Sequence, residues 1–389
     1  MTVSYAERIE RIPPYLFAKI DAAIAEKKSQ GVDVISLGVG DPDLPTPKNI
    51  VAALNQAAKD PVNHQYPNYD GLSSFRKAVA DWYLSRFSVE LNPKNEVLTL
   101  IGSKEGIGHT PLAFINRGDV VLYTDPGYPV YNIATILADG NPVPVPLLEE
   151  NDFLPDLEAI PRDILKKAKL FFLNYPNNPT AATADKGFFA EVVEFAREND
   201  IIICHDAPYT ELSFDGYEAP SFMEVDGAKD VGVEFHSLSK TYNMTGWRLG
   251  FVVGNPDVIS GIGKVKQNID SGAFNAVQYA GIEALSGPQD KAKKNVKIFQ
   301  ERRDVLVSGL KAIGWDVPTP KATFYVWAKI PTDEKSIPFA KKILDEAGVV
   351  VTPGVGFGDS GEGYVRFSFT VEKERIEEAV ERIEKAGII

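Results

Sequence analysis

The sequence has 389 residues, 44% of them hydrophobic, which is typical of a soluble globular protein and long enough for two domains. Its 54 acidic and 41 basic residues give a formal net charge of −13, which argues against a nucleic-acid partner. One cysteine, Cys204, excludes an intrachain disulfide, and without an apolar leader or the ~20 apolar residues of a membrane helix we expect a cytoplasmic protein with no membrane contact.

The N-terminal region predicts an arm followed by an irregular loop. Pro13 and Pro14 lack backbone donors, so the helix predicted over residues 18–30 cannot begin before them. A strand predicted over 32–37 leads into a loop at 38–47 that is rich in glycine and proline. Gly40 in this loop would leave the backbone open to a substrate carboxylate, and a plain interdomain linker is the alternative.

The next region contains a candidate anion site. After a predicted helix over 48–59, Tyr66 lies in a polar break and reads as a surface anchor; an amphipathic run over 72–87 follows. A buried strand at 96–101 then turns through Gly102 into a helix that runs to about residue 116. Such a turn directs unpaired backbone amides, here those of Ser103 and Lys104, at an anion, although glycine turns before helices are common.

Strands and helices then alternate, which predicts a mostly parallel sheet. The strands are predicted over 120–124, 142–146, 170–173 and 201–204, and the helices over 131–138 and 186–199. A ligand site is expected at the carboxyl ends of such strands. The side chains predicted at that edge are Tyr128, Asn178, Asp206 and Tyr209.

These side chains suit an aromatic ring with polar edges. The ring of Tyr128 could lie flat against a pyridine ring, or pack on its own helix, and Asn178 could hydrogen-bond a phenolic oxygen. Asp206 directly follows a buried strand, where a carboxylate without a partner is unfavourable. A protonated pyridine nitrogen would be that partner, with helix capping as the alternative. Tyr209 could reach the opposite edge of the same ring.

The stretch from Ser237 to Gly250 sets Lys240 and Arg248 eight residues apart between apolar runs, so the lysine is predicted on a loop between buried strands. Loss of solvation there would lower the pKa of its ammonium and leave a free amine to attack a carbonyl. Arg248 offers a planar fork for phosphate, and Ser237 a hydroxyl for the same anion. Together they suggest pyridoxal phosphate; a surface loop is the alternative.

From residue 255 the pattern changes: helices are predicted over 257–268, 277–285 and 291–313 and an extended segment over 323–330, with a boundary at Gly287-Pro288. The final segment, with helices over 339–347 and from 372 and extended segments over 349–352 and 364–369, predicts a smaller α+β domain completed by the N-terminal arm. Arg366 lies inside the last of these, where a buried guanidinium would require an anion such as a substrate α-carboxylate; an edge arginine facing water is the alternative.

The four histidines have no metal-ligand spacing, so no metal is expected, and His205 and His236 are predicted to pack or hydrogen-bond at strand ends. We expect residues 1–46 to form the arm and part of a small domain, residues 47–286 the large cofactor-binding domain, and residues 287–389 the C-terminal small domain.

Ser-x-x-Lys followed by Gly-Trp-Arg-Leu-Gly resembles the cofactor-lysine motif of the fold-type I aminotransferases, and the resemblance runs nearly end to end. It implies an α/β fold with a mostly parallel seven-stranded sheet in the large domain, and a smaller α+β domain formed by the N-terminal arm and the C-terminal segment. It also implies pyridoxal 5′-phosphate as cofactor and small amino and keto acids as substrates.

The resemblance implies a role for each matching residue. Lys240 would bind the cofactor aldehyde and move the proton, Asp206 would keep the pyridine protonated, and Arg366 would fix the substrate carboxylate. The cofactor contacts implied are Ser103, Lys104, Tyr128, Asn178, Tyr209, Ser237, Arg248 and, from the neighbouring subunit of a homodimer with shared active sites, Tyr66. One departure is Ala181, which stands where the family's Asn-Pro-Thr-Gly signature has glycine and is expected to loosen that turn slightly without affecting the polar side chains.

Within the family, Pro14-Tyr15-Leu16-Phe17 and Gly102-Ser103-Lys104-Glu105 most resemble the LL-diaminopimelate aminotransferases of lysine biosynthesis. The substrate contacts that follow are Tyr15, Gly40, Lys104, Tyr128, Asn178, Asn275 and Arg366, with Tyr69 or Asp70 near the distal end. The alternatives are an aspartate- or alanine-type aminotransferase, a β-lyase or decarboxylase on the same fold, and a non-enzymatic regulator. Such regulators usually carry an added DNA-binding domain, for which the N-terminal arm is too short and the chain too acidic.

Overall fold

The computed structural model describes residues 3–13 and 16–389, except for the side chains of residues 16–21. Its α-helices are α1 (Glu7–Glu10), α2 (Leu16–Ser29), α3 (Lys48–Ala58), α4 (Ser73–Phe87), α5 (Ser103–Phe114), α6 (Val130–Leu137), α7 (Arg162–Leu165), α8 (Lys186–Asn199), α9 (Ala228–Val231), α10 (Leu238–Thr241), α11 (Pro256–Ile269), α12 (Asn275–Ser286), α13 (Asp290–Ala312), α14 (Ser336–Ala347) and α15 (Lys373–Lys385). Its strands are β1 (Ile35–Ser36), β2 (Val97–Leu100), β3 (Val120–Asp125), β4 (Asn141–Pro146), β5 (Ala168–Asn174), β6 (Ile202–Asp206), β7 (Gly232–Ser237), β8 (Gly250–Gly254), β9 (Tyr325–Lys329), β10 (Val349–Val350), β11 (Thr352–Pro353) and β12 (Tyr364–Ser368).

A seven-stranded sheet forms the centre of the larger part of the chain, in the order β2-β8-β7-β6-β5-β3-β4. Strand β8 pairs antiparallel with β2 and with β7, and the other neighbours pair parallel. All strands except β8 therefore bring their carboxyl ends to one edge, where β8 begins. The predicted mostly parallel, seven-stranded sheet is confirmed.

Helices cover both faces of this sheet, as expected for buried parallel strands. Along β5, Phe171 and Leu173 belong to a core cluster that includes residues of α3, α4, α8 and α12. The alternate residues Leu170 and Phe172 belong to a second cluster with residues of α5, α6 and α11. Since both faces are covered, the strand ends are the edge at which polar side chains can meet a ligand.

Short-range signals set the ends of several of these helices. Asp185 caps α8, and its side chain accepts a hydrogen bond from the Phe188 amide. Asn255 caps α11 in the same way, and Pro256 occupies the first helical position, where its missing N–H removes no intrahelical bond.

A third core cluster lies around the antiparallel sheet β11-β12-β9 and the parallel pair β1-β10. Because β1 and β10 pair, the N-terminal segment joins the C-terminal region, as the smaller α+β unit requires. Helix α13 extends across both parts: Ala292 belongs to the cluster of the seven-stranded sheet and Phe299 to the cluster of the smaller sheet.

The clearest difference from the sequence-based expectation concerns the segment with the lysine. It is not a loop between strands, because Lys240 lies in the single helical turn α10, whose start is capped by the Ser237 hydroxyl accepting from the Ser239 amide. The predicted strand over 349–352 divides into β10 and β11, because these pair with different partners, β1 and β12. The short helices α1, α7 and α9 were not predicted.

Within the part of the chain that the structure describes, no helix combines the length and apolar character that crossing a membrane requires.

Candidate active site

The amine of Lys240 lies at the strand-end edge of the large sheet. Its Nζ donates a hydrogen bond of 3.0 Å to the carbonyl oxygen of Gly40 and lies 5.4 Å from the centre of the Phe324 ring. Burial lowers the pKa of Lys240 to about 8, and the nearby charges of Arg366 and Arg248 act in the same direction. Near pH 8, Lys240 is therefore a neutral amine in a substantial fraction of the molecules, and the neutral amine is the form that attacks a carbonyl.

Asp206 is the last residue of β6 and is 4% exposed. Its Oδ2 accepts a hydrogen bond of 2.8 Å from the Tyr131 hydroxyl, whereas Oδ1 has no partner among the described residues. Burial raises the pKa of this carboxyl to about 6, partly offset by the bond from Tyr131. A buried carboxylate oxygen without a donor is unfavourable, so the site fits a group that brings a positive N–H, such as a pyridine nitrogen.

The turn into α5 and the segment before β8 together resemble a phosphate cradle. Gly102, at φ 76°, gives way to Ser103 at the start of the helix, and a Cβ on Gly102 would overlap the Arg248 guanidinium. Arg248 Nη1 donates to the Thr245 carbonyl oxygen at 2.8 Å and lies 3.5 Å from the Ser239 hydroxyl. A helix N-terminus, a guanidinium and hydroxyls in one place are the groups that bind a phosphate dianion.

Tyr128 follows β3 through the turn Asp125-Pro126-Gly127 and is half-buried. Its ring meets the Tyr131 ring edge to face, with centres 5.9 Å apart. The exposed Lys104 places its Nζ 5.9 Å from the centre of the Tyr128 ring. The short segment from Tyr128 to Tyr131 thus supplies both an aromatic surface and the hydrogen-bond donor for Asp206.

Arg366, on β12, is 3% exposed and brings the smaller sheet into the site. Its Nη1 donates to Asn178 Oδ1 and its Nη2 to the Gly38 carbonyl oxygen, both at 2.7 Å, while Nε has no partner among the described residues. The guanidinium lies 4.1 Å from the centre of the Tyr325 ring and 4.6 Å from that of Phe357. A buried cation whose present partners are neutral fits a carboxylate ligand.

The structure gives Gly40 a role in packing that the sequence did not suggest. A Cβ at this position would overlap the hydroxyl of Tyr325, which in turn lies 3.1 Å from the Tyr209 hydroxyl. The missing side chain therefore makes room for a tyrosine of the smaller sheet, and the Gly40 carbonyl oxygen is the acceptor for Lys240.

Ala181 keeps the turn that a glycine would form. Its φ is 59°, in the left-handed region where an L-residue other than glycine is disfavoured. We expected the change from glycine to loosen this turn, whereas the structure retains the glycine-like conformation with alanine in it. The Asn178 side chain still reaches Arg366.

The remaining candidates lie apart from this cluster or outside the described residues. Tyr66 is 89% exposed and Tyr69 46% exposed, and Asp70 accepts a 3.4 Å hydrogen bond from Gln267. Asn275 is buried at the start of α12, next to Gln278. Tyr15 lies outside the described residues.

Sequence reasoning missed several residues that shape the site. Tyr131, Tyr325 and Phe357 contact the predicted residues directly, but each reaches the site through the fold and not through a local motif. Spacing alone offers one signal: Tyr131 follows Tyr128 by three residues, and the turn that leads into α6 brings the centres of the two rings to 5.9 Å.

A buried carboxylate beneath the site was also missed. Glu234 Oε2 lies 2.8 Å from His205 Nδ1, and its Oε1 lies 3.0 Å from His236 Nε2, so both histidines hydrogen-bond at strand ends as predicted. Burial alone would raise the pKa of Glu234, but these hydrogen bonds hold it well below the usual range. Glu234 therefore links β6 and β7, the strands that carry Asp206 and Ser237.

The chain belongs to the family described as aminotransferase class I and II, whose profile matches residues 32–383. It is accordingly an enzyme, a pyridoxal-phosphate-dependent transaminase. The site contains both Lys240 and an Asp206 oxygen that has no partner among the described residues, and this combination fits that cofactor.

Two relatives named LL-diaminopimelate aminotransferase are similar over almost the whole chain. The one from Halothermothrix orenii is 56% identical and the one from Syntrophobacter fumaroxidans 59% identical, each covering 98% of this chain and 98% of the relative. Among solved structures, substrate-bound BacF from Bacillus subtilis is 39% identical with a TM-score of 0.94, covering 99% of this chain and 98% of the other. Aspartate aminotransferase from Thermus thermophilus with maleate is 28% identical with a TM-score of 0.92, covering 99% and 100%.

Proposed function

We propose that the protein is an LL-diaminopimelate aminotransferase that transfers the amino group of glutamate to the open keto form of tetrahydrodipicolinate. The observation that carries this proposal is the identity of 56–59% to relatives of that name over 98% of both chains. The site adds a buried arginine for the reacting carboxylate and a lysine with a lowered pKa.

We propose the following division of roles. When bound, pyridoxal phosphate supplies an aldehyde that accepts and returns the amino group and a ring that withdraws electrons from the substrate α-carbon. The Lys240 amine would hold the aldehyde and would act as the general acid and base for the proton on the substrate α-carbon. The free Oδ1 of Asp206 holds the pyridine N–H, while Tyr131 keeps Oδ2 occupied.

The other contacts orient the cofactor and the substrate. Ser103, Ser237 and Arg248 bind the phosphate, with the amide of Lys104 at the same helix start. Tyr128 lies against the ring, and Asn178 and Tyr209 meet its phenolic oxygen. Arg366 exchanges part of its hydrogen bonding to neutral groups for a bidentate bond to the substrate carboxylate. Gly40 contributes backbone to the same substrate end.

We further propose a homodimer in which Tyr66, Tyr15 and Asn275 serve the neighbouring subunit's site. The loops near residues 66–70 and 270–275 lie next to each other: a Cβ built on Gly272 would lie 3.3 Å from the Asn68 carbonyl oxygen and 3.3 Å from the Pro67 side chain. They expose a group of large apolar side chains: Tyr66, Tyr69, Ile269 and Phe274. Such a patch suits burial against a second copy of the chain.

Two further expectations remain proposals. The chain is divided into a large domain, residues 47–286, and a small domain formed by residues 1–46 and 287–389. A cytoplasmic location rests on the single, buried Cys204.

The substrate proposal is tested by mixing the cofactor-loaded enzyme with single amino acids and following conversion of the cofactor to its amine form. LL-diaminopimelate and glutamate are expected to react far faster than alanine or aspartate. A distal amino-acid group left unpaired in a closed site is strongly disfavoured, so the meso isomer, with its inverted distal centre, should react more slowly.

Each outcome separates the alternatives. Aspartate or alanine ahead of LL-diaminopimelate would leave the aminotransferase class intact and remove the assignment to diaminopimelate. Equal rates with the LL and meso isomers would remove the distal site formed by Tyr15, Lys104 and Asn275. Consumption of the amino acid with no amine form of the cofactor would indicate a β-lyase, which releases ammonia together with a keto acid, or a decarboxylase, which releases carbon dioxide.

The shared-site homodimer predicts complementation. Each site needs Lys240 from one subunit and Tyr66 from the other, so a hybrid of Lys240→Ala and Tyr66→Phe subunits regains one intact site. A statistical mixture should recover about a quarter of wild-type activity, since about half of the dimers are hybrids and half of their sites are intact. Size-exclusion chromatography of the mixture reports the dimer. Hybrids of Lys240→Ala with Asp206→Ala are the matched control, because both changes affect a subunit's own site; equal recovery there would contradict sharing.

A further inference from the structure

Beside the proposed phosphate cradle lies a fully buried lysine that the mechanism above does not use. Lys266, on α11, is 0% exposed, and its Nζ lies 3.2 Å from both carboxylate oxygens of Glu105 and 2.7 Å from Asp270 Oδ1. Ligand atoms of Glu105, His109 and Asp270 lie within 4.8 Å of one another, the arrangement of a small cation site. The cation in this cluster is the ammonium of Lys266.

Glu105 belongs to the turn that forms the cradle. It lies in the first turn of α5, and its Oε2 accepts a hydrogen bond of 2.6 Å from the Ile101 amide, one residue before Gly102. A carboxylate at this position stabilises the helix start and fixes the turn. The same negative charge opposes a phosphate dianion bound to the amides of that turn, because like charges repel strongly at short range away from bulk water.

Lys266 is held in place by a second carboxylate, that of Asp270, which directly follows α11. Asp270 also accepts a hydrogen bond of 2.8 Å from the Gly272 amide, so its position is set by the loop that precedes α12. Burial alone would raise the pKa of Asp270, but the hydrogen bonds from Lys266 and Gly272 lower it. The ammonium of Lys266 is thereby fixed in contact with Glu105, although the two residues are 161 positions apart in the sequence.

We propose that Lys266 is a positioning residue for cofactor binding. By neutralising Glu105, it lets this carboxylate keep the hydrogen bond from the Ile101 amide that fixes the turn at Gly102, while the turn still binds a phosphate dianion. It touches neither the phosphate nor the substrate and acts through Glu105. The inference rests on the proposed function, because it takes the start of α5 as the phosphate site.

The test compares the affinities of the cofactor-free full chain for pyridoxal phosphate and for pyridoxal, which lacks the phosphate. The dissociation constant for pyridoxal divided by that for pyridoxal phosphate isolates the contribution of the phosphate to binding, and a larger ratio means a larger contribution. Lys266→Met should reduce this ratio about tenfold, the effect of an uncompensated charge in the first turn of a helix in a partly buried setting. Glu105→Gln should leave the ratio unchanged or increase it, and the double variant should return to within about threefold of wild type.

These opposite signs separate a charge effect from a packing effect. Removing one partner of a buried ion pair is destabilising, so thermal midpoints are measured in parallel, and Glu105→Gln, which keeps the Lys266–Asp270 pair, tests the proposal if Lys266→Met does not fold. Lys229→Met is the matched control, because Lys229 forms a half-exposed pair with Glu96 at 3.4 Å, and it should leave the ratio unchanged.

The proposal is overturned if Lys266→Met weakens pyridoxal and pyridoxal phosphate equally, or if Glu105→Gln reduces the ratio as much as Lys266→Met does. A large ratio in the wild type that Lys266→Met does not alter, but that Arg248→Met abolishes, would overturn this inference and leave the proposed phosphate site standing. A wild-type ratio near one would instead remove the phosphate site itself.

Discussion

Replacing Lys240 with alanine is expected to abolish turnover while the protein remains folded. The change removes the amine that holds the cofactor aldehyde and the group that moves the proton, and proton transfer by a positioned side chain alone contributes on the order of 10²–10⁴-fold. The folded state should survive, because among the described residues the amine donates a single hydrogen bond, to the Gly40 carbonyl oxygen at 3.0 Å. Half-reaction rates measure the loss of turnover and circular dichroism the folded state. The absorbance of the bound cofactor should change as well, because its aldehyde no longer has a lysine partner.

Lys240→Arg is the informative companion. Arginine keeps the positive charge, but it does not lose its proton near neutral pH, so it cannot act as a nucleophile or a base. If the arginine variant retained activity near wild type, the role of Lys240 would be electrostatic and its lowered pKa would be incidental. Transamination by Lys240→Ala at a rate near wild type would show that the lysine is wrongly assigned.

Replacing Asp206 with alanine is expected to reduce turnover by on the order of 10²-fold or more, as for other preorganised electrostatic contacts. The carboxylate is buried, its pKa is raised to about 6 by that burial, and one of its oxygens has no partner among the described residues. A cationic N–H at that oxygen would restore the ionised form of Asp206. Without the carboxylate, the pyridine ring of the cofactor would be a weaker electron acceptor.

The phosphate contribution to binding should survive this change, because the start of α5 and Arg248 lie on other elements. Asp206→Asn is the matched variant: it keeps the shape and an acceptor for Tyr131 but removes the charge, so it should lose turnover as well. Unchanged turnover of Asp206→Ala in both half-reactions would assign the carboxylate a capping role.

Most of the chemistry could be predicted from the sequence, because it depends on residue types at strand ends. Alternating strands and helices predict a mostly parallel sheet, and such a sheet brings residues that follow its strands to one edge. Asp206, Asn178 and Tyr128 were predicted in this way. Lys240 was predicted from its spacing to Arg248 between two apolar runs, and it lies in a helical turn and not in the predicted loop.

Other contacts could not be predicted because they depend on where distant segments pack. Tyr325 and Phe357 come from the smaller part of the fold and enclose Arg366, and no periodicity in their own segments indicates this. Phe357 reaches the site because its carbonyl oxygen accepts from the Gly127 amide at 2.8 Å, a contact between segments more than 200 residues apart.

What the sequence by itself determined is therefore which residue types are available for the proposed chemistry: a lysine as nucleophile, a carboxylate for a ring nitrogen, a helix start for phosphate and an arginine for a carboxylate. The tertiary structure alone decided which groups lack a partner among the described residues, such as Asp206 Oδ1, and which form an ion pair, such as Glu105 with Lys266. The physical reason is that residue type and local period are written along the chain, whereas desolvation and charge pairing depend on neighbours brought together only by folding.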